Sequence, residues 1–150
     1  FNNFKPLGIG RMTVGNIVDL LDQTSKTPLI VQEGESMNVE GSLVDFDGNA
    51  ISKAGLDSFQ VTLYDKATDA VINSRNNQNI LDANQGTVDA NGNFVLRLGP
   101  ADAIIVGTSV ASHAIEYHVA RFSWSYNDGS EDRTGIQEVR FRIQQLPAAT

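Results

Sequence analysis

No cysteine occurs anywhere in the 150 residues. That absence removes disulfides, thiolate metal sites and cysteine nucleophiles together, and leaves the fold to stand on packing. Cations are scarce as well: 11 Lys and Arg face 18 Asp and Glu, for a formal net charge of −7. Affinity for polyphosphate backbones comes from clustered Lys and Arg that displace counterions, so nucleic acid and anionic membrane are not expected partners. No apolar run approaches the ~20 residues that cross a bilayer. The N-terminus also lacks a basic patch followed by an apolar stretch and a small-residue cleavage site.

What the chain does contain is a globular balance, 41% hydrophobic and 19% charged, in a length suited to one domain with one core. Thirteen glycines, with many Asn and Asp, predict frequent turns and short strands.

Residues 1–27 stand apart from the rest. Gly8, Gly10 and Gly15 interrupt their apolar residues, and no regular strand is expected there. Val14, Ile17, Val18 and Leu21 follow the i, i+3, i+4, i+7 spacing, and Asn16 with Asp19 supplies a cap, which predicts a short amphipathic helix. A helix of two turns is not stable alone. Its apolar stripe, together with Phe1, Phe4, Ile9, Met12, Ile17 and Leu21, needs a partner surface, either the chain's own body or another subunit. The expected division is an N-terminal arm over 1–27, a sandwich over 28–147 and a tail over 148–150.

From Pro28 onward the period changes to two. Leu29 and Val31 open a short strand, and Met37, Val39, Gly41 and Leu43 alternate with polar neighbours in a longer one. Phe59, Val61 and Leu63 face one way and Gln60, Thr62 and Tyr64 the other. Lys66–Asp69 then turns the chain into Ala70–Asn73 as a hairpin. Ala90-Asn91-Gly92 marks another, since Asn and Gly both tolerate a left-handed backbone. Asn79–Asn84 reads as one helical turn or a tight loop with Ile80 and Leu81 plugging the core, and Ala103–Val106 as a short turn closing one end. In the last pair of strands, Ala120, Phe122 and Trp124 are expected to face the core beside Val139, Phe141 and Ile143, while Arg140 and Arg142 point to water. Seven or eight short strands with regular turn signals and no long helix predict an all-β, immunoglobulin-like antiparallel β-sandwich.

Chemistry finds little support. Asp45-Phe46-Asp47-Gly48-Asn49 alternates acids like the start of a calcium loop, but its glycine comes too early and Leu56 stands where the bidentate acid belongs. Glu116 and His118 share a strand face, yet no third ligand is evident beside them, so no metal site is assigned. The acids in polar turns, Glu33 with Glu35 and Glu131 with Asp132, look like solvated loops. Neither a nucleophile elbow nor a phosphate loop is present. No catalytic residue, cofactor or metal is expected, and the protein is not expected to be an enzyme.

Residues 58–143 carry a further likeness. VTLYDKATDAVIN, NILDAN, GNFVLRLGPADAII and the closing EVRFRI resemble the small immunoglobulin-like structural proteins of tailed bacteriophages. The resemblance implies a virion protein on the capsid exterior, a decoration or cement protein, or else a neck or tail accessory domain. Its partners would be the major capsid protein and further copies of itself, possibly as a trimer, with the arm residues Phe1, Phe4, Ile9, Met12, Ile17 and Leu21 as interface. A reading from another class is a carbohydrate-binding or adhesin sandwich that uses Tyr64, Tyr117 and Tyr126 as an aromatic platform.

Overall fold

A computed structural model describes residues 8–14, 18–19, 29–45, 47–107 and 115–145. Among them lie ten strands: β1 (Gly8–Val14), β2 (Val18–Asp19), β3 (Leu29–Gln32), β4 (Met37–Val44), β5 (Leu56–Asp65), β6 (Gln78–Asn79), β7 (Gly86–Val88), β8 (Asn93–Leu98), β9 (Ile115–Asn127) and β10 (Asp132–Gln144). They form two five-stranded sheets, ordered β2-β1-β4-β8-β7 and β3-β10-β9-β5-β6. This is the expected sandwich. All strand pairings are antiparallel except β3 beside β10, where Phe141 lies opposite Leu29 and Ile143 opposite Val31.

The N-terminal segment departs from its expected helix. Gly8–Val14 pairs antiparallel with β4, from Gly8 opposite Val44 to Val14 opposite Val39, and Val18–Asp19 folds back on it. The physical reason lies in β4. Without β1 its outer N–H and C=O groups would form an open edge, and β-branched Val14 and Val18 suit a ladder better than an isolated two-turn helix. The register slips between Ile9 and Arg11, so the bulge falls at Gly10. Ile9 and Met12 therefore lie on a strand of the sandwich, while Phe1, Phe4, Ile17 and Leu21 fall outside the described residues.

Period two sets the core. Phe59, Val61 and Leu63 of β5, Phe122 and Trp124 of β9, and Val139, Phe141 and Ile143 of β10 are all buried against Val39, Leu43, Phe94 and Leu96 of the other sheet. Phe94 reaches across the gap to Phe59 at 5.0 Å, edge on, and to Phe122 at 5.4 Å between ring centroids. Such aromatic pairs add about 0.5–1.5 kcal/mol beyond the area they bury. Ile80 is fully buried, and Leu81 packs against the core as expected.

The second arm of the predicted hairpin after β5 is not a strand. Val71 makes an isolated bridge to Tyr64, flanked by backbone bonds from Asp65 to Ala70, from Ile72 to Leu63 and from Leu63 to Arg75, and regular pairing resumes at Gln78–Asn79. Between and beyond them Asp69, Asn73, Ser74, Asn77, Asp82, Asn84 and Gln85 all take positive φ. A run so rich in left-handed residues cannot hold a ladder. The predicted turn at Ala103–Val106 is likewise displaced: the 3₁₀ turn is Pro100–Asp102.

Gly135 sits across from Trp124 in the β9–β10 register, and a Cβ added there would overlap the indole ring. Gly135→Ala is expected to cost roughly 1–3 kcal/mol through overpacking, read as a lower urea midpoint and altered Trp124 fluorescence; an unchanged midpoint would show that the indole moves aside freely.

Candidate functional site

Three places gather polar chemistry. The first is a buried ion pair. Arg75 lies in the loop between β5 and β6, Asp102 ends the turn after β8, and both are almost fully buried. Arg75 Nε donates to Asp102 Oδ1 at 2.6 Å and Nη2 to Oδ2 at 3.2 Å. Nη1 donates to Gln78 Oε1 and the Asn84 carbonyl, and Nη2 also to Gln85 Oε1. All five guanidinium N–H groups thus have acceptors. Asp102 also accepts from the Asn73 side chain and the Gly99 amide. The network pins the left-handed loop to the opposite end of the sequence segment, at the price of desolvating two charges.

The second is at the end of β5. The inward register Phe59, Val61, Leu63 continues to Asp65, which is 3% exposed and lies across from His118 of β9. His118 is fully buried, and its Nε2 is 2.9 Å from Glu116 Oε1. Glu116 also accepts the Val106 amide at 2.9 Å and the Gly107 amide at 2.5 Å. Burial alone would raise the Glu116 carboxyl, but the bonds from His118 and the two amides outweigh it and hold the group below its ordinary 4.5. A Cβ at Gly107 would stand 2.6 Å from Glu116 Oε2 and would push the end of that side chain aside. Asp65 takes the amide and hydroxyl of Thr68 on Oδ2, at 3.1 and 2.7 Å. One ligand atom from each of Asp65, Glu116 and His118 lies within 4.8 Å of the others. Asp65, on the neighbouring strand, thus stands as a third possible donor beside Glu116 and His118.

The third is the outer face of the sheet that holds β9 and β10. Ile30, Arg142 and Tyr117 lie side by side across β3, β10 and β9. Around them are Ile115, Val71 and Arg140, and Ile30, Val71, Ile115 and Tyr117 are each at least 41% exposed. Lower on the same face, Tyr64 Oη donates to Glu138 at 2.7 Å and the Arg121 guanidinium lies over the Tyr64 ring, 5.1 Å from its centre. Lys66 is close enough to help hold the Glu138 carboxyl down, after the larger effect of the Tyr64 hydroxyl. Lys66, Arg121, Arg140 and Arg142 share this area with Glu138.

The expected tyrosine platform does not assemble there. Tyr126 is 4% exposed and belongs to the core, and Tyr64 is engaged with Glu138 and Arg121, which leaves Tyr117 open. At the far end of the sandwich an open cleft of about 460 Å³ is lined by Asp45, Asp47, Asp128 and Arg133 among others. Its acids are committed to turns. Asp45 Oδ1 accepts the amides of Asp47 and Asn49. Asp128, lowered to about 2, accepts from Glu131, Arg133 and Ser130.

No family model matches the chain, and no curated protein matches it. Among solved structures, AggA, the major subunit of aggregative adherence fimbriae type I from Escherichia coli, is similar at 8% identity over 97% of this chain and 99% of that one, with a TM-score of 0.40.

Arg75→Met would leave Asp102 buried and unpaired, which is expected to cost about 3–5 kcal/mol in urea unfolding; an unchanged stability would mean that the pair contributes nothing net. The Glu116 clasp has a defined pH sense. Its folded pKa is depressed, so its stabilisation is present above the unfolded value and lost as pH falls through the folded one. Amide exchange at Val106 and Gly107, corrected for intrinsic rates, is expected to accelerate below pH 4.5, ahead of global unfolding.

Proposed function

We propose that the chain is a structural protein of a bacteriophage virion that decorates the outside of the capsid and works by contact rather than chemistry. The observation that carries the contact reading is the outer face built on Ile30, Tyr117, Arg140 and Arg142. It sets exposed apolar side chains among four cations on a molecule whose remaining seventeen acids outnumber its other seven cations. Such a face fits an acidic protein surface: the charges steer and orient the encounter, and the apolar side chains supply the buried area. The placement on the capsid, with the major capsid protein and further copies of the chain as partners, rests on the resemblance of residues 58–143 to phage immunoglobulin-like proteins. The strand at Gly8–Val14 belongs to the sandwich, so an arm reaching a neighbour is proposed only for residues 1–7.

The test is binding to capsids stripped of this protein. Arg140→Glu with Arg142→Glu is expected to weaken binding at least tenfold, since charged rim and anchor contacts to a complementary surface are each worth roughly 1 kcal/mol or more. Arg97→Glu, on the other sheet, should leave it unchanged. Equal binding by both variants would remove this face as the contact, and a loss confined to deletion of residues 1–7 would move the contact to the arm.

A further inference from the structure

The cluster at the end of β5 carries more than a hydrogen-bonded histidine. Asp65 and Glu116 are two carboxylates set into the fold, and among the described residues neither is bonded to Lys or Arg. Uncompensated carboxylates in a low-dielectric setting favour a cation beside them. The imidazole supplies an independent observation. His118 is fully buried, and among the described residues its Nδ1 has no hydrogen-bond partner. In the tautomer that carries its proton on Nδ1, the Nε2 lone pair faces Glu116 Oε1 at 2.9 Å, and a cation between the two would satisfy both.

We propose that Asp65, Glu116 and His118 form a site for one divalent transition-metal cation, with zinc the best match to an imidazole and two carboxylates. Donors on a single tetrahedral zinc stand about 3.4 Å apart, and the three donors here, all within 4.8 Å of one another, need to close by no more than about 1.4 Å. Glu116 is the ligand best placed to move, because it is only partly buried and comes from the strand end beside the Ile105–Gly107 loop. The donor set, without sulfur, argues against soft metals such as Cu(I). Bound there, the ion would join the end of β5, the start of β9 and, through Glu116, the loop that follows Asp102. In a chain without cysteine it would take the place of a covalent cross-link. The site is independent of the proposed capsid contact, which lies on the opposite face of the same sheet.

The experiment uses the whole chain, freed of metal by dialysis against a chelator and titrated with zinc chloride. One equivalent is expected to bind, and the thermal midpoint to rise by roughly 5–10 °C at a hundredfold excess over Kd. The imidazole ¹⁵N resonances of His118 should shift while those of His113 stay in place. Binding should survive His113→Ala and be lost in Asp65→Asn and in His118→Ala. Where a variant does not fold, the ¹⁵N shifts of the unaltered chain decide. No binding at millimolar zinc, shifts at His113 only, or full affinity in folded Asp65→Asn would each overturn the site.

Discussion

The buried pair of Arg75 and Asp102 is the interaction on which the irregular half of this molecule depends. Strands can find one another by hydrophobic alternation, but the excursion from Lys66 to Gln85 has few core residues and a backbone that repeatedly turns left-handed. Asn and Asp tolerate that conformation at low cost, whereas Ser74 and Gln85 do so less readily. What holds them is a guanidinium with every N–H occupied, reaching Gln78, Asn84 and Gln85 on one side and Asp102 on the other. Desolvating both ions is expensive, so the pair is better understood as selecting one loop conformation than as adding net stability.

That fixed loop serves the sheet beside it. Ile72 and Ile80 enter the core on either side of Arg75, and Val71 is set next to Tyr64 on the outer face. The same strand, β5, carries Tyr64 outward and Asp65 inward. One sheet therefore presents two chemically distinct surfaces, an apolar and cationic one to solvent and an acidic cluster with a buried imidazole toward the interior. Rigid strands make both geometries reproducible.

Much of this was legible in the sequence. The alternation of Phe59, Val61 and Leu63, and of Phe122 and Trp124 against Val139, Phe141 and Ile143, fixes which faces are buried, because strand parity is a local property. Asp65 was also readable in principle, as the next inward position after Leu63. Arg75 and Asp102 were not, since an arginine in an Asn-rich loop looks solvated until the turn 27 residues later is placed against it. The segment from Val14 to Leu21 misled for a related reason. Its helical spacing was genuine, but Val14 pairs with the edge of β4 and Val18–Asp19 with β1, and those edges exist only once the sheet is assembled.

The central claim is that this sandwich acts as a contact module on a shell, through the face that bears Arg140 and Arg142. A reconstruction of the assembled particle tests it most directly. The account predicts sandwich-shaped density on the capsid exterior, with β3, β10 and β9 turned toward an acidic patch of the shell. Density at the tail, or a copy on the head with that face turned to solvent, would contradict it.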